Sequence, residues 1–253
     1  MTPALFDLHG KVVLLTGACG GLGRAMAAAL AAQGATLLLT DHDAVACATL
    51  AAQLDASALP CDLAQADQVQ QLAELALTRH GRVDVLICNA GVQGPAGASA
   101  AVSAQQWDSV MDINLRSAAL LTAGLIPAMA AHGGGSVILL SSIAGLRGNG
   151  AIGLYGLSKA ALAQMARNLA VEWGPHNVRV NAISPGLIRT PLAAGLLADP
   201  TFMARRMAHT PLRRPGEAHE IAGVAVMLAS AAGAFISGQN LVVDGGTTIS
   251  DGS

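Results

Sequence analysis

Aromatic side chains are scarce in this chain: one tyrosine, two tryptophans and three phenylalanines among 253 residues. With so few, the position of the single tyrosine, Tyr155 in the stretch YGLSK, asks for a reason. Charge is also thin. The 14 Lys and Arg against 16 Asp and Glu leave a net charge of −2, and the basic residues are scattered, which excludes the concentrated positive patch of a nucleic-acid or anionic-membrane binder. The four cysteines (Cys19, Cys47, Cys61, Cys88) make no C-x-x-C pair and accompany no His cluster at zinc-ligand spacing. No metal site is expected, and the thiols read as reduced, buried groups in a chain too long to need disulfide staples. The longest apolar run, Ser117 to Ala131, is broken by Pro127 and is too short to cross a bilayer. The first residues carry Asp7 and His9 where a signal peptide needs an unbroken apolar stretch. A cytoplasmic protein is expected, with small molecules and copies of itself as partners.

What is abundant is aliphatic. Continuous apolar runs rich in β-branched residues occur at Lys11–Thr16, Thr36–Thr40, Val83–Cys88, Ser136–Leu140, Val178–Ile183 and Asn240–Val243, with a weaker one at Ser57–Leu59. Such runs mark strands covered on both faces. Between them lie Ala- and Leu-rich stretches with helical spacing, near 22–33, 43–54, 65–79, 103–131, 152–173 and 217–231. This alternation predicts an α/β fold: a Rossmann-like doubly wound parallel sheet of about seven strands, in a single domain spanning 1–253. One stretch breaks the pattern. From 188 to 214, three prolines mix with Leu, Ala and Met without a clean period, and a segment of that length between strand and helix predicts a lid over a substrate. Its apolar side chains, Leu192, Leu196, Leu197, Phe202, Met203 and Met207, would either face an apolar substrate or pack two short helices together. Arg205-Arg206 and Arg213-Arg214 would either bind an anionic substrate or sit as solvated surface charge.

The first strand ends in TGACGGLG (16–23), directly followed by a helical run. Glycines there permit a sharp turn and a close approach of backbone to a pyrophosphate, while the helix start offers free N–H groups and a positive dipole end. Nucleotide cofactors other than a dinucleotide, S-adenosylmethionine among them, also use such turns. The second strand ends at Asp41, 41 − 17 = 24 residues past the first glycine, near the offset of an acid that accepts from a ribose 2′-hydroxyl. A carboxylate there repels a 2′-phosphate, so NAD is expected in preference to NADP. Asp41 could instead cap the next helix, and the two roles are compatible.

Taken in order, TGACGGLG, Asp62-Leu63, Cys88-Asn89-Ala90-Gly91, Asn114, Ser141-Ser142, Tyr155 with Lys159, Ser184-Pro185-Gly186 with Thr190, and SGQNLVVDGG (237–246) resemble the short-chain dehydrogenase/reductase family over nearly the whole chain. Cys88 stands where the family more often has Asn. The resemblance implies that Gly17, Gly21, Leu22 and Gly23 receive the pyrophosphate, Asp41 the adenosine ribose, and Asp62 with Leu63 the adenine edge. It implies that Asn89, Ala90 and Gly91 line the cofactor channel and that Pro185, Gly186, Ile188 and Thr190 hold the nicotinamide. Asn114, Ser142, Tyr155 and Lys159 would be the catalytic set, Asn114 holding a water that links Lys159 to solvent. It also implies a homotetramer.

On a helix, residues four apart share a face, so Tyr155 and Lys159 would point the same way. A free phenol titrates near 10, too high for a base at neutral pH. A fixed cation beside it favours phenolate and is expected to lower that value. Ser142, 155 − 142 = 13 residues upstream at a strand end, has a hydroxyl suited to share developing alkoxide charge. The reaction expected is interconversion of a secondary alcohol and a ketone by hydride transfer with NAD(H). A catalytically silent NAD(H)-binding redox sensor is the alternative.

Overall fold

In the computed structural model, which describes residues 4–250, every apolar run read as a strand becomes one. They are β1 (Val12–Thr16), β2 (Thr36–Thr40), β3 (Ser57–Ala58), β4 (Val85–Cys88), β5 (Gly135–Leu140), β6 (Val178–Pro185) and β7 (Asn240–Val243). All pair in parallel, in the order β3-β2-β1-β4-β5-β6-β7. The chain winds outward from β1 to β3, then restarts at β4 on the other side of β1. Between β1 and β4 the connections leave in opposite directions, which opens a crevice at the carboxyl ends of these two strands.

The helices are α1 (Gly21–Ala32), α2 (Ala44–Gln53), α3 (Ala66–His80), α4 (Ala104–Met111), α5 (Ser117–Ala131), α6 (Gly153–Trp173), α7 (Ala194–Leu197), α8 (Pro200–Ala208) and α9 (Ala218–Ala229). Period-2 alternation divides the aliphatic strands between the two faces. Leu14, Leu38 and Leu86 face a core built with α3, α5 and α6, whereas Val13, Leu15, Leu37 and Leu39 face one built with α1, α2 and α9. Both faces are therefore dry, which is why β1 and β4 are apolar along their whole length.

Three expectations are modified. β4 starts at Val85 because Asp84, buried, turns aside: its carboxylate accepts from Val12 N at 2.9 Å and pairs with Arg82. β6 runs on to Pro185, since Ser184 and Pro185 still have partners, Val242 and Val243, on the edge strand. The apolar run Ser117–Ala131, read as too short to cross a bilayer, lies within a longer helix, the one expected over 103–131. A π-turn at Asp112–Arg116 joins α4 to α5, so the helical stretch Ala104–Ala131 has the length and mean hydropathy to cross a membrane, yet it packs one side against the sheet core.

In the 188–214 segment the structure forms a 3-10 turn (Pro191–Ala193), α7 and α8, and none of the three buries a side chain. Apart from Ile188, which is buried, the apolar residues there stay partly or fully exposed.

Candidate functional site

The crevice is built first from the turn after β1. Gly17 has φ +62°, and a Cβ on it would lie 2.8 Å from Ala90 Cα; a Cβ on Gly23 would stand 2.1 Å from Gly17 O. The turn thus closes only with glycine at these places. α1 starts from Gly20 with no side-chain cap, leaving the N–H groups of its first turn facing the crevice mouth. Thr16, to which sequence reasoning gave no role, bolts this turn to β4. Its Oγ1 accepts from Asn89 N (3.0 Å) and Ala90 N (3.1 Å), while Asn89 Nδ2 donates to Thr16 O and Gly17 O, both at 2.9 Å. The only sequence signal for Thr16 was its place as first letter of the glycine motif.

At the end of β2 the Asp41 carboxylate is buried. Its Oδ2 accepts from Cys19 N at 2.9 Å, and Oδ1 lies 2.9 Å from Nδ1 of the exposed His42. It does not cap α2. Asp43 does, accepting from Val45 N and Ala46 N, so the capping alternative for Asp41 is set aside. Asp62 is exposed after β3, where its carboxylate accepts from Ala64 N at 3.0 Å. Leu63 turns its side chain into the core, so any contact to an adenine would come from its backbone.

On the other side, Ser142 follows β5 in extended conformation. Its Oγ accepts from Ala144 N at 3.1 Å, which leaves the hydroxyl hydrogen free to point elsewhere. Tyr155 and Lys159 lie one turn apart on α6, and Lys159 Nζ is 5.6 Å from the centre of the Tyr155 ring. The Ser142 side chain acts on the Tyr155 phenol, favouring its ionised form. Lys159 is buried and donates to Leu140 O at 2.7 Å. A Cβ on Gly91 would come within 3.0 Å of Lys159 Nζ and 3.2 Å of Asn114 Oδ1, so amine and amide meet over this glycine.

The electrostatics depart from expectation. Burial holds the Tyr155 phenol above its ordinary value, and the Ser142 side chain, rather than the lysine, is what pulls it back. Burial also draws the Lys159 amine down from 10.5 to about 8. The expected lowering of the phenol by the lysine is absent, and burial is the larger influence on both groups. Cys88, buried beside Lys159, is pushed up to about 12 and stays a neutral thiol.

Asn114 sits in the π-turn, and its side chain is fully used: Oδ1 accepts from Val92 N (2.8 Å), and Nδ2 donates to Val92 O and Ser158 Oγ (both 2.9 Å). It braces the loop after β4 against α6. A water at this place would therefore need a backbone carbonyl of the π-turn as its acceptor. Beyond β6, Pro185 and Ile188 are buried, and a Cβ on Gly186 would lie 2.7 Å from Asp244 Cα. Thr190 reaches back to the first turn, since a Cβ on Gly21 would stand 2.8 Å from Thr190 Cβ. All the candidate residues thus gather at the carboxyl ends of the strands, around one crevice.

A family model described as Enoyl-(Acyl carrier protein) reductase matches residues 17–248. The chain is 37% identical over 245 residues to Dehydrogenase/reductase SDR family member 4 of Bos taurus, covering 95% of this chain and 88% of the relative. It resembles the structure of a gluconate 5-dehydrogenase from Burkholderia cenocepacia J2315 in complex with NADP and tartrate, with TM-score 0.93, 30% identity, and 97% and 98% of the two chains covered. It also resembles a 7α-hydroxysteroid dehydrogenase complexed with NADH and 7-oxo glycochenodeoxycholic acid, with TM-score 0.89, 33% identity and 96% of each chain covered.

Proposed function

The chain belongs to the short-chain dehydrogenase/reductase family, whose members are NAD(P)-linked oxidoreductases, and on that premise we propose that it interconverts a secondary alcohol and a ketone using NAD(H). The observation that carries this is the meeting of Ser142, Tyr155 and Lys159 beside the crevice: a protein that only sensed a nucleotide has no use for a buried amine under its single phenol.

The residues fit a dinucleotide. The Gly17 and Gly23 positions leave a cradle that a Cβ would fill, the uncapped start of α1 presents N–H groups to a pyrophosphate, and Asp41 stands ready for ribose hydroxyls. The structural relatives carry either NADH or NADP, so the preference for NAD rests on the buried Asp41 carboxylate, which disfavours a 2′-phosphate. When bound, the nicotinamide supplies the acceptor or donor of hydride.

The chain's own residues handle the proton and the charge. Tyr155 Oη takes the proton of the alcohol or gives one to the ketone. Ser142 donates to the same substrate oxygen, a contact of the kind worth about 10²- to 10³-fold in rate. The phenol raised by burial is protonated at neutral pH, so the resting form is set to reduce a ketone, and alcohol oxidation is expected to gain with rising pH. Lys159 holds the site's second exchangeable proton on a nitrogen fixed by Leu140 O.

In the same reading 188–214 is the lid of a single domain, in keeping with the exposed side chains of α7 and α8. Exposed Trp107, Leu157 and Val171 on α4 and α6 support assembly into a homotetramer. Light scattering is expected to give about four times the 25.3 kDa of one chain; the mass of a single chain would refute assembly.

A panel of secondary alcohols and ketones, followed at the absorbance of the reduced cofactor with NAD and NADP in turn, tests the proposal. Turnover with NAD(H) is expected. Tight NADH binding with no turnover on any member would favour the sensor, and a preference for NADP would overturn the role given to Asp41.

A further inference from the structure

Asp41 and His42 stand side by side at the end of β2, and they differ in exposure: the carboxylate side chain is 7% exposed and the imidazole 84%. The two carboxylate oxygens have separate tasks. Oδ2 accepts from Cys19 N at 2.9 Å, whereas Oδ1 lies 2.9 Å from His42 Nδ1 and 3.4 Å from Asp43 N. Since Oδ2 is spent on the glycine turn, Oδ1 is the oxygen left for a ribose hydroxyl, and it is the one the imidazole touches. A neutral ring adds no charge there. A protonated ring sets a cation against Oδ1 and offsets the field by which a carboxylate repels a 2′-phosphate.

Other charged or titratable groups adjoin the pair on every side. On the same segment, the Asp43 carboxylate accepts from Val45 N and Ala46 N. From α1, Arg24 Nε donates to Cys19 O at 2.9 Å. The loop after β3, where Cys61 N donates to Asp41 O at 3.1 Å, brings Asp62. Carboxylates and guanidiniums ordinarily keep their charge between pH 6 and pH 8. The thiols stay neutral: burial pushes Cys19 and Cys61 up to about 11, and Cys47, on α2 with its Sγ donating to Leu39 O at 3.2 Å, is raised as well. In this set only a histidine belongs to a residue type that changes charge over that range.

We infer that His42 makes the choice of cofactor depend on pH: neutral, it leaves Asp41 to select NAD(H), and protonated, it admits the 2′-phosphate of NADP(H). The inference rests on the reading of the crevice as a dinucleotide site with Asp41 at the adenosine ribose. Protonation of His42 and binding of a 2′-phosphate then favour each other, as coupled equilibria must. The preference for NAD(H) is therefore strongest on the alkaline side and weakens as pH falls.

The test is the affinity of the full chain for NADH and for NADPH, read from cofactor fluorescence without substrate at pH 6, 7 and 8 and at fixed ionic strength. In the wild type, affinity for NADPH relative to NADH should rise about fivefold from pH 8 to pH 6, the scale of one exposed charge contact. The 2′-phosphate itself takes up a proton near pH 6, an effect that every variant shares. H42Q should lose the rise, and H42R, with a fixed cation, should hold the high relative affinity at all three pH values. The imidazole is exposed, so neither change opens a cavity in the fold. A rise in H42Q equal to that of the wild type, or a wild-type ratio that does not move with pH, overturns the switch and leaves the dinucleotide site standing on its NADH binding. No binding of either nucleotide at any pH defeats the dinucleotide reading itself, and the switch with it.

Discussion

Lys159 Nζ lies 5.6 Å from the centre of the Tyr155 ring and spends a hydrogen bond of 2.7 Å on Leu140 O. The bond to the strand end fixes the amine under the phenol, and burial of both groups sets their acidity: the phenol moves up and the amine down. Their ordinary values differ little, but in the protein they are ordered so that the amine gives up its proton well before the phenol. The pair therefore starts from a protonated phenol at neutral pH, the form that donates to a ketone.

Tyr155→Phe keeps the ring and removes the proton. Turnover is expected to fall by about 10²- to 10⁴-fold, with NADH binding, followed by fluorescence, within a few-fold of wild type. Near-full activity would remove Tyr155 from the mechanism.

Lys159 ties stability to pH. Its value falls from 10.5 to about 8 on folding, so between these pH values the folded chain binds fewer protons than the unfolded chain. Stability contributed at this site therefore rises with pH across that window, and the cost of holding the charged amine, roughly 3 kcal/mol, is present in full below it. Urea unfolding of wild type and Lys159→Met at several pH values isolates this effect from the cysteines, which titrate in the same range. The variant should be favoured most below pH 8 and lose that advantage toward pH 10.5; a difference independent of pH would contradict the buried amine.

Asp41→Ala should raise kcat/KM with NADP relative to NAD by at least about tenfold, since a hydrogen bond to a charged group is worth about 1.5–3 kcal/mol. The same change frees Cys19 N, so a modest drop in Tm should accompany it. An unchanged cofactor ratio would show that Asp41 serves the glycine turn alone.

Thr16→Val removes a buried acceptor shared by two partly buried N–H groups. A loss of about 2–3 kcal/mol is expected in urea unfolding, together with weaker NADH binding, because the turn after β1 and the loop after β4 would no longer be joined. Thr16→Ser should restore most of both.

The strands and helices were legible to within a residue or two because burial on both faces demands continuous aliphatic runs, and a run is a local property of sequence. The shared face of Tyr155 and Lys159 followed from helical period in the same way, and the glycine turn from the steric needs of a tight bend. Other features depended on neighbours far along the chain. Asp43 rather than Asp41 caps α2, the Asp41 carboxylate being held by Cys19 N, 22 residues away. Leu63 faces the core, and the Asn114 side chain is spent on Val92 and Ser158, partners 22 and 44 residues away.

The sequence by itself determined the doubly wound parallel sheet and the turn and helix that carry its candidate groups, since periodicity and turn chemistry act over a few residues. Only the tertiary structure decided how acidic those groups are. Desolvation is set by what packs around a group, and for Lys159 the surroundings, Leu140 O, Gly91 and Cys88, come from distant parts of the chain.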